Sequence, residues 1–127
     1  MKIEVSIGEV VDKLTILDIK LEKMTDREKL KNIRKEYDLL KDDLAKMKIT
    51  PDSTEFKDLR TVNLRLWEIE DKIRIKEYNQ EFDEGFIKLA RSVYYENDER
   101  AKIKKDINLK FGSELVEEKE YVNYKKS

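Results

Sequence analysis

Apolar residues return at steps of three and four along almost the whole chain, and very little interrupts them. The 127 residues include only three Gly and one Pro, the two residue types that end helices and build turns. A chain that nearly lacks both, yet keeps a helical apolar period, folds as long amphipathic helices. The expected class is all-α, an up-and-down bundle of about four long helices with coiled-coil-like seams. It forms one domain over residues 1–127, completed by oligomerisation, with a dimer favoured. Charged residues make up 45% of the chain. Such a fraction signals disorder only where apolar residues are sparse, and here they are regularly spaced.

The punctuation is local. Ser6 and Glu9 have capping-box spacing, with Val5 and Val10 placed as a hydrophobic staple. Ile3, Val5 and Ile7 alternate, so residues 1–5 read as an extended arm. A first stripe follows, Val10, Leu14, Leu17, Leu21 and Met24, widened by Ile16 and Ile19. Thr25 with Glu28 repeats the capping pattern, and a second stripe runs through Leu30, Ile33, Tyr37, Leu40, Leu44 and Met47. The two stripes are out of register by two positions near Thr25, which favours a tight turn over one stuttering helix. Pro51 marks a loop over residues 49–54, with Asp52 and Glu55 placed to cap the next helix. The third stripe is Phe56, Leu59, Val62, Leu66, Ile69 and Ile73, ending between Tyr78 and Asp83. The fourth is Phe86, Leu89, Ala90, Val93, Tyr94, Ala101, Ile103, Ile107 and Phe111, with Gly112 as its C′ residue. Residues 113–127 form a partly ordered tail.

Absences bound the chemistry. The sequence has no Cys and no His, which removes thiolate nucleophiles, disulfides, His-ligated metals and the Ser-His-Asp triad. No catalytic residue and no resident cofactor are expected. Net charge is −1, with cations interleaved among acids, so no basic face for nucleic acid is expected. No apolar run reaches membrane-span length, and Met1-Lys2-Ile3-Glu4-Val5 lacks a signal peptide's apolar segment. A cytoplasmic protein is expected.

One polar constellation stands out. With the turn between the third and fourth helices near residue 81, residue x on one lies level with about 162 − x on the other. Asn63 and Trp67 then lie level with Tyr95 to Glu99. Asn97 falls inside the fourth stripe, and Glu70, Asp71, Asp98 and Arg100 are close. Asp12 and Lys13 join if the first helix begins at that level. The simpler reading is a buried Asn pair that fixes register. The functional reading is a pocket for a small anionic ligand, phosphate- or sugar-bearing. Gly8 belongs to the same set: a Gly in a helix's first turn marks close packing, or N–H groups free to receive an anion. Tyr94 and Tyr95 read as core and flank rather than a stacking platform. An alternative, a Mg²⁺-dependent phosphohydrolase of the all-α nucleotide pyrophosphohydrolase type, would use Glu9-x-x-Asp12 and Glu68-x-x-Asp71. That spacing is weak evidence where Asp and Glu number 29.

Four segments resemble an uncharacterised family of small bacterial and phage proteins, a domain of unknown function. They are Val5-Ser6-x-Gly8-Glu9-x-x-Asp12-Lys13-x-Thr15-Ile16-Leu17-x-Ile19-Lys20; Asn63-x-x-Leu66-Trp67-x-Ile69-Glu70-Asp71; Leu89-Ala90-Arg91-x-Val93-Tyr94-x-x-Asn97-Asp98-x-Arg100; and Gly112-Ser113-x-Leu115-Val116-Glu117-Glu118-Lys119-x-Tyr121. The resemblance implies a helical domain in the company of sugar-transfer genes, with no established activity. It falls on the same polar positions.

Overall fold

The computed structural model describes residues 1–125; the last two residues of the expected tail, 126 and 127, lie outside them. Four helices follow in order, α1 (Ile7–Lys23), α2 (Arg27–Ala45), α3 (Thr54–Tyr78) and α4 (Glu84–Lys110). Among the described residues there is no strand, and residues 1–6 lead into α1 without regular structure. The class read from the stripes is the one observed.

The caps differ from expectation in instructive ways. Ser6 Oγ accepts from the Glu9 N–H at 3.2 Å, but Glu9 does not complete the box, because its carboxylate is drawn to Lys104 at 2.7 Å. Val5, the expected staple, is exposed. The turn after α1 is real, but Asp26 rather than Thr25 caps α2, accepting from the Glu28 and Lys29 N–H groups. Ser53 rather than Asp52 holds the N-cap position of α3, and its hydroxyl faces back to the Thr50 N–H at 2.9 Å. Gly112 does close α4: its φ of +66 lets the Ser113 N–H return to the Asn108 carbonyl at 2.8 Å, the C-terminal motif that a left-handed residue permits.

The molecule consists of two antiparallel hairpins, α1–α2 and α3–α4, with α1 at the centre. α1 packs on all three other helices, whereas the backbone of α2 comes close to that of neither α3 nor α4. Val11, Leu14 and Leu17 of α1 meet Tyr37 and Leu44 of α2, Phe56 and Leu59 of α3 and Ile107 of α4 in one core, closed by Ile49 from the loop. Burying each such side chain stabilises by about 1.5–3 kcal/mol. Ion pairs Lys13–Glu36 and Arg60–Asp18 fix α1 against α2 and α3 at 2.9 and 2.6 Å.

The hairpins are unequal in length. At about 1.5 Å per residue, α1 spans roughly 26 Å while α3 and α4 reach about 38 and 40 Å. The α3–α4 hairpin therefore overhangs the core. Within residues 64–103 not one is fully buried; Asn63 is the last buried residue of α3 and Lys104 the first of α4.

Candidate functional site

The boundary between core and overhang is polar. Asp12 projects from α1 into the α3–α4 seam, where its residue is 1% exposed. Arg100 grips it with two parallel bonds, Nε to Oδ1 at 2.9 Å and Nη2 to Oδ2 at 2.5 Å. Asn63 Nδ2 donates to the same Oδ1 at 2.9 Å and to Thr15 Oγ1 at 2.8 Å. Thr15 in turn donates to the Asp12 carbonyl at 2.7 Å. One turn along α4, the Lys104 ammonium bonds Glu9 at 2.7 Å and approaches Asp12 at 4.0 Å and Glu117 of the tail at 3.4 Å. Three acids thus surround two cations, and the layer ties α1, α3, α4 and the tail together.

The charges are mutually maintained. The Asp12 hydrogen bonds raise the Arg100 pKa against the desolvation that would lower it. For Lys104, desolvation pushes downward, but the Glu9 hydrogen bond and the Asp12 and Glu117 charges outweigh it and hold the ammonium above its usual range. For Glu117, partial burial pushes upward, but Lys104 and Lys119 outweigh it and hold the carboxyl below its usual range.

Gly8 turns out to be a close approach. A Cβ there would lie 2.5 Å from the Lys104 carbonyl oxygen. Its N–H already donates to Asn108 Oδ1 at 2.6 Å, and the neighbouring Ile7 N–H donates to Ser113 Oγ at 3.1 Å. The first-turn donors that could have received an anion are taken by α4 and the residue beyond it.

The other expected site residues separate into groups. Asn63, Trp67, Glu70, Asp71, Asn97 and Arg100 line one open groove of about 570 Å³, walled on its α1 side by Ile16 and Ile19. Asn63 and Asn97 share this groove, but Asn63's amide is directed to Asp12 and Thr15 rather than to Asn97. The expected interhelical Asn pair is replaced by an Asn–Asp–Arg layer, because α1 crosses the seam at this point. Lys13 lies outside it, exposed and paired to Glu36. Asp98 also faces elsewhere, accepting a hydrogen bond from the Tyr124 hydroxyl. The crude register holds: Arg65 on α3 pairs with Glu96 on α4 at 2.9 Å.

Sequence reasoning missed Lys104 and Asn108. Their signal was available, since both fall one and two turns after Arg100, on the face that carries Ile107. It also misplaced Tyr94, which is 58% exposed. Tyr94 and Tyr95 instead face the tail, with Tyr124 packed at 5.7 and 5.3 Å between ring centroids.

Among the described residues no three acidic side chains gather in a geometry that could hold a metal, and no helix is long and apolar enough to cross a membrane. A family model described as a family of unknown function (DUF6165) matches residues 1–126. No curated protein and no solved structure matches the chain.

Proposed function

The chain belongs to this family of unknown function, and we propose that it works as a non-catalytic helical assembly module, self-associating through the overhanging α3–α4 hairpin. One observation carries the reading: residues 64–103 form two helices with no fully buried residue between them. A two-helix hairpin cannot enclose its own seam. Leu66, Ile69, Ile73, Leu89 and Val93 stay half-buried, and Ile75, Tyr78, Phe82 and Ile87 are exposed at 60%, 87%, 55% and 54%. Apolar side chains left uncovered in this number on one hairpin favour an interaction there.

The occupant that fits is a second copy. At its base the hairpin offers the groove of Leu66, Trp67, Val93, Ile16 and Ile19, and at its tip it offers Tyr78 and Phe82. Two copies laid antiparallel about a two-fold axis set each tip into the other's groove, as an isologous interface requires. The result is a four-helix bundle made of two hairpins. The flanks carry both signs, with Glu68, Lys72 and Lys88 all exposed, so the antiparallel pairing places no single-signed face against itself.

Light scattering tests this. The protein should be a dimer at tens of micromolar, and Phe82→Glu should dissociate it while leaving helical circular dichroism unchanged. Trp67, the only Trp, should shift its emission to longer wavelength on dilution, as the groove opens to water. A monomer at that concentration overturns the proposal. The phosphohydrolase alternative requires three carboxylates converging on one cleft, whereas Asp12 is committed to Arg100 and Asn63.

A further inference from the structure

Beyond Gly112 the tail folds back along α4. Glu117 meets Lys104, Glu118 meets Lys105 at 3.1 Å, and Tyr124 reaches Asp98. Between tail and helix lies a cleft of about 810 Å³, lined by Tyr94, Tyr95, Tyr121 and Tyr124. This exceeds the oligomer groove and falls in the size range of small-molecule sites, roughly 300–1,000 Å³. Its chemistry differs from the rest of the surface. In a chain of net charge −1, the cleft wall carries two cations, Arg91 and Lys119, and a single carboxylate, Asp98. That carboxylate is occupied by the Tyr124 hydroxyl. Lys119 pairs with Glu117 at 3.3 Å, whereas the ion pairs of the other α3 and α4 arginines, Arg60, Arg65, Arg74 and Arg100, have no counterpart at Arg91 among the described residues. A third cation, Lys125, stands over the rings of Tyr95 and Tyr124 at 5.8 and 5.9 Å.

Exposed tyrosine faces favour a flat ring, and excess positive charge beside them favours an anion on that ring. Three of the rings support one another: Tyr124, fixed by its hydroxyl, packs at 45° to Tyr94 and 83° to Tyr95. Tyr94 and Tyr121 both remain exposed. The geometry points to a binding site for a nucleotide in the cleft between α4 and the tail, its base stacked on Tyr94 or Tyr121 and its phosphate at Arg91 and Lys119. The site lies within one chain and does not rest on self-association.

Titration calorimetry on the full chain tests it, with AMP as probe and adenosine, ribose 5-phosphate, inorganic phosphate and tetramethylammonium as arms. AMP should bind saturably with a Kd below about 1 mM. Tyr94→Ala and Arg91→Ala each remove one of the two recognition elements and should weaken it about tenfold or more. Both side chains are exposed, so both variants should keep wild-type circular dichroism and melting. Phe82→Glu, which breaks the proposed dimer, should bind AMP as wild type does, so failure of one proposal is separable from failure of the other. Several results would overturn the assignment: no saturable AMP binding, adenosine or ribose 5-phosphate binding as tightly as AMP, or AMP binding indifferent to both cleft variants. Tetramethylammonium binding in place of AMP would equally overturn it and make the tyrosines a cation cage.

Discussion

Gly8 allows the packing of α1 on α4 to be tested with a single methyl group, because two effects of opposite sign meet there. In a helix, Gly→Ala ordinarily stabilises by up to about 1 kcal/mol through backbone entropy. At Gly8 the added Cβ would stand 2.5 Å from the Lys104 carbonyl oxygen and 3.0 Å from Asn108 Oδ1. The first neighbour is backbone inside a 27-residue helix, so it cannot turn aside as a flexible side chain would. Relief requires α1 and α4 to separate by about an ångström, and overpacking of this kind costs about 1–3 kcal/mol. The same separation stretches the Gly8 N–H bond to Asn108, now 2.6 Å, for a further loss of about 1 kcal/mol. The net expectation is destabilisation by about 1–3 kcal/mol, despite the better helix former.

Gly85→Ala is the control. Its Cβ would meet Asp83 Oδ1 and Lys76 Nζ, both at 3.3 Å, and Lys76 Cε at 3.5 Å, all of them side-chain atoms rather than backbone. It should be neutral or stabilising by up to about 1 kcal/mol. Thermal melts at one protein concentration separate the two, since a chain of this size shifts by roughly 4 °C per kcal/mol. Gly8→Ala should melt about 4–12 °C lower and Gly85→Ala no lower than wild type. If Gly8→Ala melts at or above wild type, the close approach is not a constraint on the fold, and the account of the α1–α4 contact is wrong.

The polar layer makes further predictions. Asp12→Ala leaves Arg100 and Lys104 without their shared partner and should cost about 3–5 kcal/mol in urea unfolding. Lys104→Met should cost much less, because Glu9 and Glu117 keep 44% and 36% of their side-chain surface in water and can hydrate once released. Tyr124 has its pKa pushed up to about 12 by the hydrogen bond to Asp98 and, secondarily, burial. A raised folded-state value means its docking contributes below the ordinary tyrosine range and fades as pH rises from there toward 12. Absorbance at alkaline pH should therefore show one tyrosine lagging that Asp98→Asn returns to the ordinary range, while Tyr37, also raised by burial and Asp18, stays put. At the acid end, the depressed Glu117 pKa means the tail contact holds above the usual carboxylate range and is lost as pH falls through the folded value. Proteolysis at Lys119 should accelerate there, and Glu117→Gln should show that acceleration at neutral pH.

Much of this architecture was legible because helices announce themselves by period. The stripes placed all four elements, the two-position slip near Thr25 located the first turn, and the fold-back register put Arg65 beside Glu96 to within a residue. What periodicity on one helix could not supply was the crossing of a third. Asn63 and Asn97 sit on facing stripes, but the direction of Asn63 is decided by Asp12, which arrives from α1. Gly8 was recognisable as a close approach, yet its neighbour, Lys104, lies far away in sequence and could be found only by noticing two polar residues on α4's apolar face. The tyrosine cleft was invisible for another reason. Tyr94 fits the fourth stripe by spacing, but beyond the end of the core no helix remains to cover that position, so it faces the tail instead.

That shortfall of cover links the polar layer to the overhang. An apolar seam alone lets two helices slide or rotate at little cost, and a third helix crossing it could settle at several levels. Asp12 removes that freedom, because a carboxylate held by a two-pronged guanidinium and an asparagine amide has one geometry that satisfies all partners. Moving α1 by a turn in either direction would part the Asp12 carboxylate from Arg100 and Asn63 and forfeit the hydrogen bonds they share. The crossing level of α1 decides how much of α3 and α4 projects beyond the core. The layer therefore sets the length of the free hairpin, about 22 Å from Asn63 to Tyr78 at the helical rise. The buried charges thereby leave Trp67, Ile73 and Val93 only half-buried by the helices of their own chain.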